Sequence, residues 1–573
     1  MYVADFETTT KREDCRVWAW GLFEIGSYGH FEYGNDIDSF MERLKQLSAQ
    51  KETVYFHNLK FDGEFIIYWL FTHGWSHVTE KADRTNCSFM TLISDKGAFY
   101  SMELYFKMLK KGQHKIKLLD SLKVLPLSVA EIAKAFGLPM QKLEIEYTED
   151  RPVGHELTLD EIRYLRNDCE IVARALEQLF NQDLKKMTTA ANALNEYKTI
   201  IGKRNFDWWY PAPDYDADVR QSYRGGFTYA DPRFAGREVG AGIVLDVNSL
   251  YPSVMYSKPL PYGDPIFFKG KYKEDSLYCL YVQMIRCNFK LKPGYIPTIQ
   301  IKMNSAFVPT EYLVDSDGED VVLCLTSVDL ALFFEHYDVY NCEFLSGWKW
   351  KSSTILFTDY INKWYAAKQQ ATVDGNKPLR TISKLMLNSL YGKFGMNPKT
   401  RSKIPVLDRQ HDCVRYVYGE YEERRPIYIP LASFITAWAR YITITAAQSV
   451  YDRFMYADTD SLHLLGTGIP AELDVDPVRL GAWKHEATFT RAKYIRAKSY
   501  IEEIDGKLSV TCAGLPADCH DQVTFENFTE GAVYSGKLRP VHAEGGIVLE
   551  ETDFSIRREK TKDVVRYKQD TFL

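Results

Sequence analysis

No apolar run in the sequence approaches the length needed to span a membrane. None of the ten cysteines forms a Cys-x-x-Cys pair, and their irregular spacing indicates neither a zinc site nor a disulfide framework. A reducing cytoplasm is therefore expected. A secretory leader is not expected, because Asp5 and Glu7 fall where an apolar segment would be needed. Internal repeats and low-complexity tracts are also missing. So is any basic excess: the formal net charge is −6. That weighs lightly against a nucleic-acid partner, because metal-binding carboxylates and an acidic outer surface can mask a basic channel.

At 573 residues the chain is too long for one core, and at roughly 150 residues per domain about four are expected. Its 45% hydrophobic and 26% charged residues are those of a folded soluble protein. Aromatics, at 14%, suit stacking on bases and sugars as well as ordinary cores.

The informative feature is six motifs in a fixed order. Asp5-Phe6-Glu7, Asn58-Leu59-Lys60-Phe61-Asp62 and Tyr164-Leu165-Arg166-Asn167-Asp168 lie in the first third. Asp246-Val247-Asn248-Ser249-Leu250-Tyr251-Pro252, the segment 384–392 and Tyr456-Ala457-Asp458-Thr459-Asp460-Ser461 follow. Each alone has an ordinary reading. Together they describe two separate carboxylate clusters, each able to hold a pair of divalent metals.

Asp5 and Glu7 alternate along a strand and so share one face. Asp62 is expected in the first turn of a helix from about 61 to 71, where a carboxylate also favours the helix dipole. Tyr164 and Asp168, four residues apart, project from one helix face. In the second half, apolar Gly242-Ile243-Val244-Leu245 leads into Asp246. Asp458 and Asp460 sit in a hairpin whose flanks are too apolar for a surface turn, so their repulsion asks for a cation. Arg380, Lys384, Asn388 and Tyr391 are expected on one helix face, with Lys368 about three turns earlier. Two cations, an amide and a phenol suit a triphosphate and a base pair, although such a stripe is also an ordinary solvated face.

The first three motifs resemble those of the proofreading 3′–5′ exonuclease domain of family B DNA polymerases. The resemblance implies an RNase H-like fold in which Asp5, Glu7, Asp62 and Asp168 bind two metals and Tyr164 orients the attacking water. Lys142, in Gln141-Lys142-Leu143-Glu144-Ile145-Glu146-Tyr147, matches a lysine that assists catalysis in the protein-primed subgroup. His57, Asn58, Phe61, Phe65, Ser121 and Leu122 match positions that hold a frayed primer end. The second three resemble motifs A, B and C of the same family. Lys498-Ser499-Tyr500 matches its Lys-x-Tyr motif, in which Lys498 and Tyr500 support the primer terminus. Tyr223-Arg224-Gly225-Gly226 matches the Tyr-x-Gly-Gly motif between the two domains.

Motifs A and B are 138 residues apart, long for fingers alone. The excess, 258–357, looks like an inserted subdomain, and a second excess at 396–420 reads as a basic hairpin with Lys399, Arg401, Lys403, Arg409 and Arg415. Two insertions at these places resemble the protein-primed family B polymerases of small tailed phages with linear genomes. The implied architecture is α/β and multidomain: an RNase H-like exonuclease domain (1–186), then a right-hand polymerase domain. The latter comprises palm (187–257 and 421–512), first insertion (258–357), fingers (358–395), second insertion (396–420), and thumb with a C-terminal tail (513–573).

The resemblance implies Mg²⁺, two ions per site with Mn²⁺ as a substitute. Asp246 and Asp460 would hold them at the polymerase site, with Val247 a further metal position and Asp458 nearby. Lys384, Lys368 and Arg380 would neutralise the triphosphate, and Tyr251 would exclude a 2′-OH. Expected partners are template and primer DNA, dNTPs and a terminal protein that primes, with no membrane, for a monomer in a bacterial host's cytoplasm. Three alternatives compete: a nucleic-acid-primed repair polymerase, a nuclease with a degenerate polymerase half, and a DNA-binding scaffold.

Overall fold

A computed structural model describes residues 1–145, 151–300 and 312–556. Glu146, Tyr147 and the tail 557–573 lie outside the described residues. Among the described residues no helix is long and apolar enough to cross a membrane.

The N-terminal part is built on one mixed sheet. Its strands run in the order Phe31–Gly34, Val17–Glu24, Tyr2–Thr8, Thr53–Phe56, Gln113–Asp120, Phe99–Met108, Ser88–Ile93, Ser76–His77. Tyr2–Thr8 pairs antiparallel with Val17–Glu24 and parallel with Thr53–Phe56, which is itself parallel to Gln113–Asp120. Parallel strands at the centre of a sheet are covered on both faces, which is why they read as apolar runs. Phe6 meets Phe40 edge-on at 4.8 Å and Phe56 at 5.3 Å. The helix Leu59–Thr72 starts two residues earlier than its periodicity suggests, after Asn58 in a left-handed conformation (φ 75°). Leu159–Asn181 opens with a reciprocal capping box between Thr158 and Glu161.

The second half is centred on an antiparallel sheet in the order Trp483–Phe489, Gly242–Val247, Ser461–Leu465, Phe454–Asp458, Thr228–Ala230. The largely buried helix Ile429–Ser449 packs against it. A further sheet, Glu238–Val239, Arg491–Arg496, Ser499–Ile504, Lys507–Cys512, lies against the first through aromatic side chains. Residues 260–353 contribute their own sheet, in the order Leu260–Lys269, Tyr337–Ser353, Leu280–Leu291, Val321–Thr326.

Two expectations about the cationic helix need correction. Lys368 is not on the same helix as Lys384. It lies on Thr358–Val373, and a turn through Gly375 separates that helix from Lys377–Ser389. Nor does Tyr391 complete the stripe: the helix ends at Ser389, and Tyr391 opens the short helix Tyr391–Phe394. Asn376 caps the second helix through Leu379 N–H, with Pro378 in its first turn, and so fixes the break.

Two hairpins join the halves. Lys399–Asp408 and Cys413–Glu423 form one, bridged to the N-terminal sheet through Ser94 and Ser402. Val533–Ala543 and Gly546–Ser555 form the other. The tip of the second presses so closely on the N-terminal part that a Cβ on Gly546 would lie 2.4 Å from the Phe65 ring.

Candidate active sites

The first site is a cavity of about 740 Å³ at the exposed end of Tyr2–Thr8, lined by Asp5, Glu7, His57, Asn58, Phe61, Lys142, Tyr164 and Asp168. Asp62 stands behind it, 3% exposed, with its Oδ1 accepting the Phe6 N–H at 3.2 Å. Lys142 Nζ lies 3.3 Å from Asp168 Oδ2. Burial, then Asp168, pushes the Asp5 carboxyl up to about 7, against the pull of Lys142. Glu7 and Asp62 are also raised, first by burial and then by Asp5. Desolvated like charges of this kind favour a bound cation.

The single-strand residues are placed unevenly. Asp120 Oδ1 accepts the N–H groups of Asn58 and Leu122, each at 3.0 Å, and so joins the two walls. Both His57 ring nitrogens are engaged, Nδ1 with Ser121 Oγ (2.9 Å) and Nε2 with Leu127 O (2.8 Å). Phe61 lines the cavity, but Phe65 is 1% exposed and closed off by the C-terminal hairpin. In this arrangement Phe65 is not free to stack on a strand. Leu538, Leu549 and Glu551 of that hairpin complete the wall. Sequence reasoning missed them, and no local pattern announces them.

The second site is on the central sheet of the second half. Asp246 pairs in register with Ser461 on one side and Lys484 on the other. The hairpin turn holds Thr459 at φ 62°, and Asp460 O accepts the Val247 N–H at 2.8 Å. The turn therefore sets Asp460 directly against Asp246. Burial, then Asp460 and Glu486, pushes Asp246 up to about 7, while Lys484 and Lys384 oppose the shift. Lys498 Nζ reaches both oxygens of Asp458 at 2.8 Å. Lys384, Arg380 and Lys484 all bear on Lys368, whose ammonium is pulled down first by burial and then by these cations. Lys368 Nζ donates to Ser249 Oγ at 3.4 Å. Tyr251 and Tyr391 stack at 4.1 Å. Ser249 makes no side-chain cap bond to the helix it precedes, and the Asn248 amide donates to Asp476 O at 2.8 Å. Lys484 and Glu486 were also missed. Their i, i+2 spacing on a strand is the signal that singled out Asp5 and Glu7.

The Tyr-Arg-Gly-Gly segment lies over this turn. A Cβ on Gly226 would sit 2.7 Å from Thr459 Cγ2 and 3.0 Å from the Tyr251 hydroxyl. Arg224 donates to Cys324 O at 2.9 Å, and Arg440 donates to the carbonyls of Arg224 and Gly225. Tyr223 packs against Gly395.

The donor sets of both sites fit divalent cations. They are hard carboxylate oxygens, and buried Asp168 Oδ1 has no hydrogen-bond partner. Among the described residues no group of three or more His, Cys, Asp or Glu side chains is arranged to hold a metal ion. A small hard dication needs less: one or two carboxylates, with water and substrate phosphates completing its shell.

Comparison with known proteins agrees with this geometry. Residues 44–151 and 141–474 match the family described as DNA polymerase type B, organellar and viral. The chain belongs to the type B DNA polymerases, in their phi29-type group. It is 47% identical to the DNA polymerase of Bacillus phage phi29 and 46% to that of Bacillus phage Nf, over 97% of this chain and 99% of each relative. The DNA polymerase of Streptococcus phage Cp-1 is 34% identical over 97% of this chain and 98% of the relative. The solved phi29 DNA polymerase superposes with a TM-score of 0.92 at 45% identity, covering 97% of this chain and all of that one. A complex of the phi29 polymerase with primer-template DNA matches equally well. The family places an RNase H-like exonuclease fold before a right-hand polymerase fold, and the chain is a DNA-directed DNA polymerase.

Proposed function

We propose that this polymerase replicates a linear phage genome in a bacterial cytoplasm, as a monomer, priming on a terminal protein and displacing the non-template strand as it proofreads. The observation that carries this reading is the presence in one chain of two separated carboxylate sites joined by two hairpins, on a fold shared with phi29 DNA polymerase. The solved phi29 complexes contain primer-template DNA, single-stranded DNA and incoming nucleotide. We assign the same classes of ligand here. The domain limits 1–186, 187–257, 258–357, 358–395, 396–420, 421–512 and 513–573 are part of the proposal.

DNA polymerases of this kind use divalent metal ions. Mg²⁺, with Mn²⁺ as a substitute, is assigned to Asp246, Asp460 and the Val247 position, and to Asp5, Glu7, Asp62 and Asp168. When bound, such ions supply Lewis acidity and charge neutralisation for phosphoryl transfer. Lys384, Arg380 and Lys368 would bind the triphosphate oxygens and balance the charge developing on the leaving pyrophosphate. Tyr251, packed on Tyr391, would close the space beside the sugar C2′. Asn388 and Tyr391 face the nascent pair, while Lys498 and Tyr500 hold the primer end. At the other site Tyr164 orients water and Lys142 holds Asp168 in place.

The test is synthesis on a primed circular single strand, followed past one full circle. The hairpin 396–420 is then replaced by a Gly-Ser turn. The parent enzyme continues past the circle, and the replacement stops at the duplex. Equal products from both would remove the displacement assignment. Addition of dNMP to a terminal protein without a nucleic-acid primer separates this reading from a repair polymerase.

A further inference from the structure

Two sheets meet beneath the polymerase site. One holds Asp246, Asp458 and the approach to Asp460. The other holds Tyr500, with Lys498 on the turn leading into its strand Ser499–Ile504. The contact between them is largely apolar and aromatic, made by Val244, Met455, Tyr456, Phe489, Ala492 and Tyr494. Buried within it are one imidazole and one carboxylate.

His463 is 2% exposed and Glu502 4%. His463 Nδ1 lies 2.6 Å from Glu502 Oε1, and the Tyr494 hydroxyl donates to the same oxygen at 2.7 Å. A ring nitrogen this close to a carboxylate oxygen carries the proton, so Nδ1–H donates. Each member is adjacent to a functional strand position. His463 is two residues from Ser461, which pairs in register with both Asp246 and Asp458. Glu502 is two residues from Tyr500 on the same strand face, and the Tyr500 ring lies 5.1 Å from His463. Tyr456 closes the arrangement, its hydroxyl accepting the backbone N–H of Lys498 at 2.8 Å.

We propose that His463 and Glu502 are positioning residues that set the register between the Lys498–Tyr500 segment and the metal-binding carboxylates, and thereby the grip on the primer 3′ end. Apolar contact fixes how closely two sheets approach but leaves their lateral register loose, because it is non-directional. A short, desolvated hydrogen bond is directional and tolerates little sliding. The pair is buried beneath the site and acts through Tyr500, Lys498 and Ser461. This inference rests on reading Lys498 and Tyr500 as primer-end residues.

The test uses the full chain with Glu502→Leu, Glu502→Gln, the milder Tyr494→Phe, and Lys498→Ala as the control for the underlying reading. Measured are KM for primer-template, kcat, the dNTP concentration at which synthesis balances degradation, and degradation of a free single strand. Glu502→Leu raises primer KM and the balancing dNTP concentration about 5- to 10-fold, with kcat within about twofold and single-strand degradation unchanged. Glu502→Gln keeps the acceptor oxygen and restores the parent values, and Tyr494→Phe falls between. Parent-like KM in Glu502→Leu overturns the proposal. So does a Gln variant as impaired as Leu, or an equal loss of every activity. If Glu502→Leu fails to fold, parent-like behaviour of Tyr494→Phe overturns it. Unchanged primer KM in Lys498→Ala removes the underlying reading instead.

Discussion

The ammonium of Lys498 stands 2.8 Å from each oxygen of Asp458, while burial and the charge of Asp460 push Asp246 up to about 7. The three polymerase acids are therefore unequal. Lys498 pairs with Asp458, and on the proposed assignment Asp246 and Asp460 would hold the divalent ion. Lys498 is more than half exposed, so the pair contributes at most about 1 kcal/mol. Lys498→Ala should lower nucleotide addition by up to about fivefold, without slowing degradation of a free single strand. Single-turnover assays of both activities check this.

Gly226→Ala tests the fit of the Tyr-Arg-Gly-Gly segment over the catalytic turn. The added methyl would lie 2.7 Å from Thr459 Cγ2 and 3.0 Å from the Tyr251 hydroxyl, so the turn or the tyrosine must move. A displacement of that size at reacting groups costs about 10²-fold. Nucleotide addition should fall by that order while the melting temperature changes little.

Tyr251→Val should admit ribonucleotides. The Tyr251 ring is stacked on Tyr391 at 4.1 Å and cannot swing aside without losing that contact. Replacing it opens space beside the sugar, and the preference for dNTPs over rNTPs should fall about 10²-fold. Ratios of kcat/KM for matched dNTP and rNTP check this.

Acid should loosen the N-terminal domain through Glu161. Burial raises its carboxyl, but bonds from Thr158 N–H, Arg151 and His155 outweigh burial and hold it down to about 2. A depressed carboxylate contributes stability above its unfolded pKa and loses it as pH falls from near 4.5 toward 2. Below that window the bond to buried Arg151 is gone. Glu161→Gln should lower stability at pH 7 by about 2–4 kcal/mol and flatten the melting profile between pH 5 and 3. Thermal melts of both proteins across that range check it.

Much of this was legible in the sequence, and the reason is local. Alternation on a strand put Asp5 with Glu7, a four-residue helical step put Tyr164 with Asp168, and apolar flanks put Asp458 and Asp460 at the turn between two buried strands. What was not legible is set by distant contacts. Lys368 and Lys384 converge from two helices because Gly375 and Asn376 break the chain between them. Phe65 matches a strand-holding aromatic in the sequence, but the hairpin tip at Gly546 covers it. Glu502 looks like any strand glutamate, and only the packing of one sheet on another brings it to His463.

The central claim is that one chain holds two independent phosphoryl-transfer sites. It is tested most directly by degradation of a 5′-labelled single strand by the Asp246→Ala enzyme, in Mg²⁺ without dNTPs. The account predicts the parent rate of degradation from a protein that adds no nucleotide when dNTPs are supplied. Loss of degradation in the folded Asp246→Ala protein would contradict it.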